Sequence, residues 1–251
     1  MKLIDDLLAA LPAGKIIDVC TGLHWTAVVI ECDGDVRCGL ASTLVTRYVH
    51  SAEPDIPLAG QLHTLPALEL ASLAHSEQPT LASIGIATIN ALLKPQPDLF
   101  SDLNAEDAIT TQGAGKTVAL IGSFPFIPRL RLRVGQLFVV EREPRGGELP
   151  ASAATDVVPQ ADVVAITGMA LVNHTLDGLL ELCRPEATVI LLGPSTPLSP
   201  ILFEHGIDLL FGAVVTAIDP VLAAVRQGAN FRQIHKAGMR LVMMGDLPLN
   251  R

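Results

Sequence analysis

The second half of the chain alternates short, unbroken apolar runs with segments of helical hydrophobic spacing. The runs cover residues 117–124, 136–141, 161–168, 188–193 and 208–216. Strands that are apolar on both faces belong inside a parallel sheet, and their alternation with helices is typical of a doubly wound α/β domain. The pattern therefore predicts a Rossmann-like parallel sheet domain over residues 96–251.

The first half has the pattern of a small antiparallel sheet with helices. Strands are predicted at Ile16–Cys20, Trp25–Cys32 and Val36–Leu40. Asp33-Gly34-Asp35 is a strong hairpin signal between the last two strands. Helical spacing is found at 3–11, 67–75 and 80–93. Residues 1–95 are therefore predicted to form a small α+β domain, and the proline-containing segment that begins at Lys94 is the predicted connection.

Composition narrows the class of protein. With 49% hydrophobic residues and a mean hydropathy of +0.44, the chain can bury two sizeable cores. No apolar run reaches the roughly 18 residues of a membrane span, and Asp5 and Asp6 make the N-terminal segment unlike a signal peptide. A net charge of -9 argues against a nucleic-acid partner, which requires a basic surface. The expected protein is cytoplasmic, without a membrane or nucleic-acid partner.

The fourth apolar run ends in polar residues held between prolines. Gly193, Pro194, Ser195 and Thr196 would lie at the carboxyl edge of the sheet, where ligands of such folds bind. Pro197 suits the first position of a helix, so Thr196 is the predicted N-cap and the helix amides should face a crevice. That geometry favours an anionic or strongly polar ligand. The alternative interpretation is a turn that binds nothing.

Cysteine and histidine supply the candidate metal ligands. The four cysteines lack the CxxC spacing of zinc sites, and we expect them to be reduced. Cys20, Cys32 and Cys38 fall on predicted strands of one sheet, so their thiols either converge on a soft metal or lie buried as ordinary core residues. His24, at a strand entry, and His174, in a loop after a strand, are candidate metal ligands, and each is also explained by packing or surface exposure.

The turn after the first strand of the second domain disfavours NAD and FAD. Dinucleotide enzymes need GxGxxG there, whereas Gly122-Ser-Phe-Pro-Phe-Ile retains only the first glycine. Glu141 nevertheless lies where such folds place the carboxylate that holds a ribose, and it is equally explained as a solvated acid. The GxSxG motif of a serine nucleophile is absent, so the catalytic residues are unknown and enzymatic activity stays open.

Several segments together resemble one known family. In the second half these are IGSFPFIPRLR, ADVVAITGMALVNHTLDGLLEL and LLGPSTPLSPILFEHGIDLLFGAVV, and in the first half they are GLHWTAV and ASIGIATINAL. They resemble the heavy-metal chelation family, a domain family of unknown function whose members pair an enolase-N-terminal-like domain with a Rossmann-like domain. The resemblance implies the same two-domain α/β fold for this chain.

The resemblance also implies a ligand site in the cleft between the two domains. The matching positions in this sequence are mostly glycines and polar residues: Thr21, Gly22, Asn90, Gly122, Ser123, Phe124, Glu141, Thr167, Gly168, Gly193, Pro194, Ser195 and Thr196. Asn173, in the loop that also holds His174, is a further candidate donor to the ligand.

Three functions are compatible with these residues. The first is heavy-metal chelation or the binding of a metal complex, in which the cofactor is a transition metal or its chelate and hard donors contact the chelator. The second is a transferase or synthase that uses adenosyl-methionine or a nucleotide. The third is a non-catalytic binding protein or a homo-oligomeric scaffold.

Overall fold

The computed structural model describes residues 2–45 and 54–246, which form two β-sheets with helices packed against them. The first half supplies β1 (Lys15–Thr21), β2 (Trp25–Cys32) and β3 (Asp35–Ser42). The second half supplies β4 (Phe100–Ser101), β5 (Thr117–Ile121), β6 (Gln136–Glu141), β7 (Leu149–Pro150), β8 (Val163–Thr167), β9 (Thr188–Leu192), β10 (Leu209–Val215) and β11 (Met239–Met244).

The helices connect and cover these strands. They are α1 (Lys2–Ala9), α2 (Ala67–Ser72), α3 (Pro79–Leu92), α4 (Ala105–Gly113), α5 (Ile127–Leu130), α6 (Ala154–Val157), α7 (Met169–Val172), α8 (Leu176–Glu181), α9 (Ile218–Arg226) and α10 (Phe231–Ala237). Short 3-10 helices occupy Leu62–Thr64, Leu73–His75, Pro97–Leu99, Ala151–Ala153, Val158–Gln160 and Pro200–His205. Across residues 2–45 and 54–246, no helix is both long and apolar enough to cross a membrane.

The sheet of the first half is antiparallel, with β2 in the centre and the predicted hairpin between β2 and β3. Helix α3 packs on β2 and β3, and ten of its fourteen residues are buried. Such a helix is apolar on all sides because protein encloses it. A β-carbon placed at Gly39 of β3 would lie only 2.1 Å from the carbonyl oxygen of Ala87. Glycine at this position therefore lets the backbones of β3 and α3 touch.

The large sheet has the strand order β4-β11-β10-β9-β8-β5-β6-β7. The six strands from β10 to β7 in that order are parallel, and β11 is antiparallel to both of its neighbours, β10 and β4. Side chains of β5 alternate between two cores, since Ala119 belongs to one cluster and Val118 and Leu120 to the other. The prediction of an α/β fold with a largely parallel sheet covered on both faces is confirmed. Strands β4, β7 and β11 were not predicted.

The two halves share buried apolar clusters. Ile86 of α3 lies in the same cluster as Leu171 of α7, and Trp25 of β2 lies in the same cluster as Val225 of α9. The halves therefore pack on each other through side chains that exclude water. The division into domains at 1–95 and 96–251 stays a prediction.

The helix predicted to begin at Pro197 begins instead at Pro200. Ser199, the residue before it, is extended, with φ −132° and ψ 131°. Because a residue that precedes proline is driven out of the helical region, Pro200 prevents a helix from running through Ser199. The prediction of Thr196 as a helix N-cap is therefore wrong. Its amide donates instead to the carbonyl oxygen of Gly193 at 2.9 Å.

Helix α9 also begins differently from the prediction. The sequence predicts Asp219 as the N-cap and Pro220 as the first residue of this helix. In the structure Ala217 is the N-cap and Asp219 lies in the first turn. Pro220 follows within the same turn, where a missing amide costs no helical hydrogen bond. The helix exists as predicted, with its start two residues earlier in the chain.

Candidate functional site

Three neighbouring parallel strands are each followed by glycine at the carboxyl edge of the large sheet. Gly122 follows β5, Gly168 follows β8 and Gly193 follows β9, and we call these residues the glycine row. The chain leaves β5 toward β6 on one side and later returns to β8 on the other. Ligands of doubly wound sheets bind at such a reversal of strand order. Gly122 and Gly193 have φ of 111° and 115°, a conformation that favours glycine.

Threonine side chains fill the space beside two residues of the glycine row, Gly122 and Gly168. A β-carbon at Gly122 would lie 3.0 Å from Cβ of Thr167, and one at Gly168 would lie 2.7 Å from Oγ1 of Thr196. A β-carbon at Gly193 would meet only the amide nitrogen of Gly168, at 4.0 Å. The row thus lies against Thr167 and Thr196 at two positions and faces open space at the third.

The loop after Gly193 is buried against the first half. Ser195 and Thr196 are 1% and 2% exposed. The hydroxyl of Ser195 accepts a hydrogen bond from the amide of Ser42 at 2.8 Å and lies 3.3 Å from the Ser42 hydroxyl. Ser42 ends β3, so the predicted ligand loop joins the small sheet to the carboxyl edge of the large one.

Two of the predicted site residues carry buried polar atoms without a hydrogen-bond partner in the described part of the chain. These atoms are Oγ1 of Thr196 and Oδ1 of Asn90. The Asn90 amide is oriented by its nitrogen, which donates to the carbonyl oxygen of Leu40 in β3 at 2.8 Å. A buried polar atom left unpaired costs about 1–3 kcal/mol, so each of these atoms calls for a partner that the chain itself does not supply.

The exposed rim beside Gly122 is built by the segments that follow β5 and β6. Ser123 donates its hydroxyl to Oε1 of Glu148 at 2.8 Å, and Oε2 of Glu148 accepts the Arg145 amide at 2.9 Å. These two hydrogen bonds, the Ser123 bond first, lower the pKa of the Glu148 carboxyl. Glu148 is therefore held in place and ionised at neutral pH.

Phe124 and Glu141 flank the same rim. The Phe124 ring stacks on Phe126, with centroids 5.2 Å apart and planes at 17°. Oε1 of Glu141 accepts the amide of Arg142 at 2.8 Å. Both predicted site residues are partly exposed at the ends of neighbouring strands.

Comparison with known families identifies both halves of the chain. A model described as "Putative heavy-metal chelation" and named DUF364 matches residues 104–244, and a second with the same description, DUF4213, matches residues 4–93. The chain belongs to the heavy-metal chelation family. The resemblance seen in the sequence is thereby confirmed, and the family match includes every residue of the glycine row.

Relatives of this family member match it over most of the chain. An uncharacterized protein of Methanocaldococcus jannaschii is 28% identical over 218 residues, which is 83% of this chain and 82% of the relative. A crystal structure of a DUF364 protein with unknown function from Desulfitobacterium hafniense has a TM-score of 0.84 at 28% identity, and covers 98% of both chains. A second, from Pyrococcus horikoshii, has a TM-score of 0.80 at 21% identity, over 97% of this chain and 98% of the other.

The three candidate thiols of this family member do not all meet at one place. Cys20 and Cys38 pack in the same cluster beside α9, whereas Cys32 lies on the other face of the small sheet, in the cluster beneath α3. Burial raises the pKa of the Cys38 thiol to about 12, and it raises the pKa of Cys20 as well. Thiolates, which bind soft metals, are therefore disfavoured at neutral pH. In residues 2–45 and 54–246, no three His, Cys, Asp or Glu side chains form a group that could hold a metal ion.

The candidate histidines and Asn173 lie in separate places. His24 is exposed in the turn between β1 and β2. His174 has its Nε2 2.8 Å from the carbonyl oxygen of Ala74 and links α7 to the end of the segment after α2. Oδ1 of Asn173 accepts the amide and the hydroxyl of Thr175, so it shapes the turn before α8.

Thr21 and Gly22 lie away from the glycine row, beside α9. A β-carbon at Gly22 would lie 2.3 Å from the carbonyl oxygen of Val225, so glycine is needed there for close packing. Two open grooves lie away from the glycine row. One of about 620 Å³ runs between the small sheet and α9, past Asp18 and Arg226, and one of about 430 Å³ lies beside β4 and β11.

Sequence reasoning did not identify Ser42 or Glu148 as neighbours of the site. Ser42 is 153 residues from Ser195 in the chain, and no sequence motif predicts their contact. Glu148 follows Gly146 and Gly147, both at positive φ, in the turn that leads into β7. This glycine pair after a predicted strand was the one local signal that could have drawn attention to Glu148.

Proposed function

We propose that this protein binds a small-molecule metal complex where the carboxyl ends of β5, β8 and β9 meet β3. The family description, heavy-metal chelation, gives the class of ligand. The residues that would form the site are those of the glycine row with Ser123, Phe124, Thr167, Ser195, Thr196 and Asn90, and Glu141 lies beside them.

The unpaired hydroxyl of Thr196 is the observation that carries this proposal. It is buried, it has no partner in the described residues, and it lies against Gly168 at the reversal of strand order. The Thr196 side chain itself occupies the space in front of Gly168, so a ligand group would satisfy this hydroxyl where the loop moves away from Gly168. The unpaired Oδ1 of Asn90 supports the same interpretation from the first half.

The chemistry of these donors supports a metal complex in preference to a bare heavy metal. Hydroxyl and amide oxygens are hard ligands, whereas soft metals select thiolate and imidazole. A heavy metal would therefore be held by its own chelator, and the protein would contact the chelator through hydrogen bonds. Phe124 adds a partly exposed aromatic face for the apolar part of such a ligand.

Calorimetric titration of a matched pair of variants tests the proposal. The probes are Cu²⁺ and Ni²⁺, each alone and as its citrate and ethylenediamine complexes. Thr196→Val removes the unpaired hydroxyl at nearly constant shape, and Thr188→Val makes the same change at the opposite edge of the sheet, at the start of β9. We expect at least one complex to bind the parent and Thr188→Val, and to bind Thr196→Val about tenfold more weakly, which is the effect of one lost hydrogen bond.

Two results would overturn the proposal. One is that no probe binds the parent chain, and native mass spectrometry of freshly purified protein finds no co-purifying metal complex. The other is that both threonine variants bind every probe as the parent does. The first result removes the metal complex as ligand, and the second removes this edge of the sheet as its site.

One observation favours a nucleotide-like ligand as the second candidate. Glu141 lies at the end of β6, next to β5, and Phe124 presents a ring beside the same strand end. A carboxylate and an aromatic face in these positions suit a ribose and a base. Titration with adenosyl-methionine separates this transferase or synthase from the metal-complex function, because Glu141→Gln should then weaken binding and Thr196→Val should not.

A further inference from the structure

The backbone amides of the glycine row are not free to bind an anion. The amides of Gly122, Gly168 and Gly193 donate to carbonyl oxygens of Val140, Leu192 and Phe211 at 2.8–2.9 Å. The amide of Thr196 likewise donates to Gly193. An anion would need free amides at this edge, and these four are already engaged within the sheet and its loop.

The rim next to the row carries a fixed negative charge. Glu148 is anchored at both carboxylate oxygens, by the Ser123 hydroxyl and the Arg145 amide. Since Ser123 donates its proton to Glu148, the lone pairs of its oxygen remain directed away from that bond. A ligand at Gly122 would therefore meet an ionised carboxylate and a hydroxyl oxygen that accepts.

Contacts connect this rim to the buried part of the site. Glu148 contacts Ser123, Ser123 follows Gly122, Gly122 lies against Thr167, and Gly168 lies against Thr196. The negative rim and the unpaired Thr196 hydroxyl are thus the two ends of one continuous row. Ser123 lies at the exposed end of this row, and Thr196, which is 2% exposed, lies at its buried end.

We infer that Glu148 determines the charge specificity of this site and selects ligands whose rim-facing end is cationic or rich in hydrogen-bond donors. This inference rests on the proposed function, because it gives the polarity of the ligand bound at the same site. Glu148 contacts the cationic end directly, and Ser123 positions its carboxylate. Arg145 and Arg142 are the nearby basic residues of the same exposed loop, and the main chain of Arg145 makes its contact with Glu148.

Two exchange-inert cobalt(III) complexes test the polarity without metal transfer to the protein. Hexaamminecobalt(III) is triply positive and presents only N–H donors, and the cobalt(III) complex of EDTA is singly negative and presents only acceptors. We expect the hexaammine to bind and the EDTA complex to bind at least about tenfold more weakly, because like charges at the rim repel. Calorimetry at two salt concentrations measures both affinities.

Glu148→Gln is the decisive variant, and Glu143→Gln is its matched control. Both changes remove one negative charge from the same exposed segment, but only Glu148 is bonded to Ser123. We expect Glu148→Gln to weaken hexaammine binding about tenfold and to reduce the preference over the EDTA complex, and Glu143→Gln to change neither by more than about twofold. Arg145→Gln should leave the preference in place or strengthen it. Thermal unfolding of the variants should match the parent, which a purely structural role of Glu148 would not allow.

Equal effects of Glu148→Gln and Glu143→Gln would overturn the inference, because the hexaammine would then respond only to total surface charge. Tighter binding of the EDTA complex than of the hexaammine would also overturn it. Neither result decides the proposed function, which fails if no probe binds the parent chain or if Thr196→Val leaves the binding of every probe unaffected. A loss of hexaammine binding in Glu148→Gln with normal binding of the copper complexes would instead show that the rim is separate from the site, and this too contradicts the inference.

Discussion

The amino and carboxyl edges of the large sheet differ in how completely their polar groups are hydrogen-bonded. At the amino edge, Asp162 precedes β8, and its carboxylate accepts a hydrogen bond from the amide of Thr117, the first residue of β5, at 2.8 Å. Asp208 precedes β10, and its carboxylate accepts one from the amide of Val189, the second residue of β9, at 2.7 Å. The backbone of each aspartate donates in return to the carbonyl of the same residue at 2.8 Å. These paired bonds fix the register of adjacent parallel strands.

At the carboxyl edge, the buried Thr196 side chain makes no such paired hydrogen bonds. Its strands end in glycine, and the Thr196 hydroxyl behind them has no partner in the described chain. A completed edge contributes to stability, whereas an incomplete edge is where a ligand can still contribute hydrogen bonds. The same sheet therefore separates the residues that hold the fold from those that we propose to hold a ligand.

The largest expected effect on stability comes from adding a methyl group at Gly168, on the carboxyl edge of the sheet. In Gly168→Ala, the new β-carbon would lie 2.7 Å from Oγ1 and 2.8 Å from the amide nitrogen of Thr196. Gly168 has φ −58°, so the cost arises from this overlap and not from the backbone conformation. Urea denaturation should show a loss of about 2 kcal/mol in the free energy of unfolding.

Gly178→Ala, in helix α8, is the matched control. A β-carbon there meets nothing within 4 Å, so alanine should raise the free energy of unfolding by about 0.5–1 kcal/mol through its higher helix propensity. If Gly168→Ala proved as harmless as Gly178→Ala, the loop around Thr196 would be able to move aside, and the close packing of this edge would not be a constraint.

At the amino edge, removal of Asp162 should leave the Thr117 amide without an acceptor, whereas Nη2 of Arg184 keeps the carbonyl oxygen of Ala161 at 3.1 Å. Asp162 also accepts a hydrogen bond from the Arg184 guanidinium at 2.8 Å. Asp162→Ala should lower the free energy of unfolding by about 1–3 kcal/mol, and Asp162→Asn by less, because asparagine keeps an oxygen for the Thr117 amide. Equal losses for both variants would mean that the charge and not the backbone bond is what stabilises this edge.

The pH dependence of stability separates those two contributions further. The hydrogen bond from the Thr117 amide, followed by the interaction with Arg184, lowers the pKa of Asp162 in the folded chain. A carboxyl with a lowered pKa stabilises the fold above its unfolded pKa of about 3.9, and this contribution is lost as the pH falls through the folded value. The parent and Asp162→Asn should therefore differ most near neutral pH and converge in denaturation experiments once the pH falls below the lowered pKa of Asp162 in the folded chain.

The strands that the sequence predicted are those buried on both faces. Val118, Val164 and Ile190 lie in unbroken apolar runs because helices cover both sides of β5, β8 and β9. β11 was missed because Arg240 and Leu241 are exposed in its first half, which breaks the run. The two-residue strands β4 and β7 exist only through pairing with their neighbours, and no local pattern encodes that.

The sequence predicts which strand ends contribute to the site, but it does not predict which residues contact each other there. Parallel topology alone brings Gly122, Gly168 and Gly193 to one edge, and this follows from the order of apolar runs. The burial of Ser195 against Ser42 depends on how the two halves pack. Residue spacing within either half does not predict that packing. Pro200 shows the opposite case, since a rule about the residue before proline was enough to exclude the helix expected at Pro197.

The smallest expected effect tests most directly whether the carboxyl edge is incomplete. Thr196→Val should not lower the free energy of unfolding of the ligand-free protein and should raise it by up to about 1 kcal/mol, because the hydroxyl that it removes is buried without a partner. Thr26→Val is the matched control, since the equally buried Thr26 hydroxyl lies 2.9 Å from that of Thr43, and its loss should cost about 1 kcal/mol. Chemical denaturation of both variants beside the parent makes the comparison. A loss of 1 kcal/mol or more in Thr196→Val, equal to that in Thr26→Val, would reveal a structural partner for Thr196, and the contrast between the two edges of the sheet would then no longer point to a ligand.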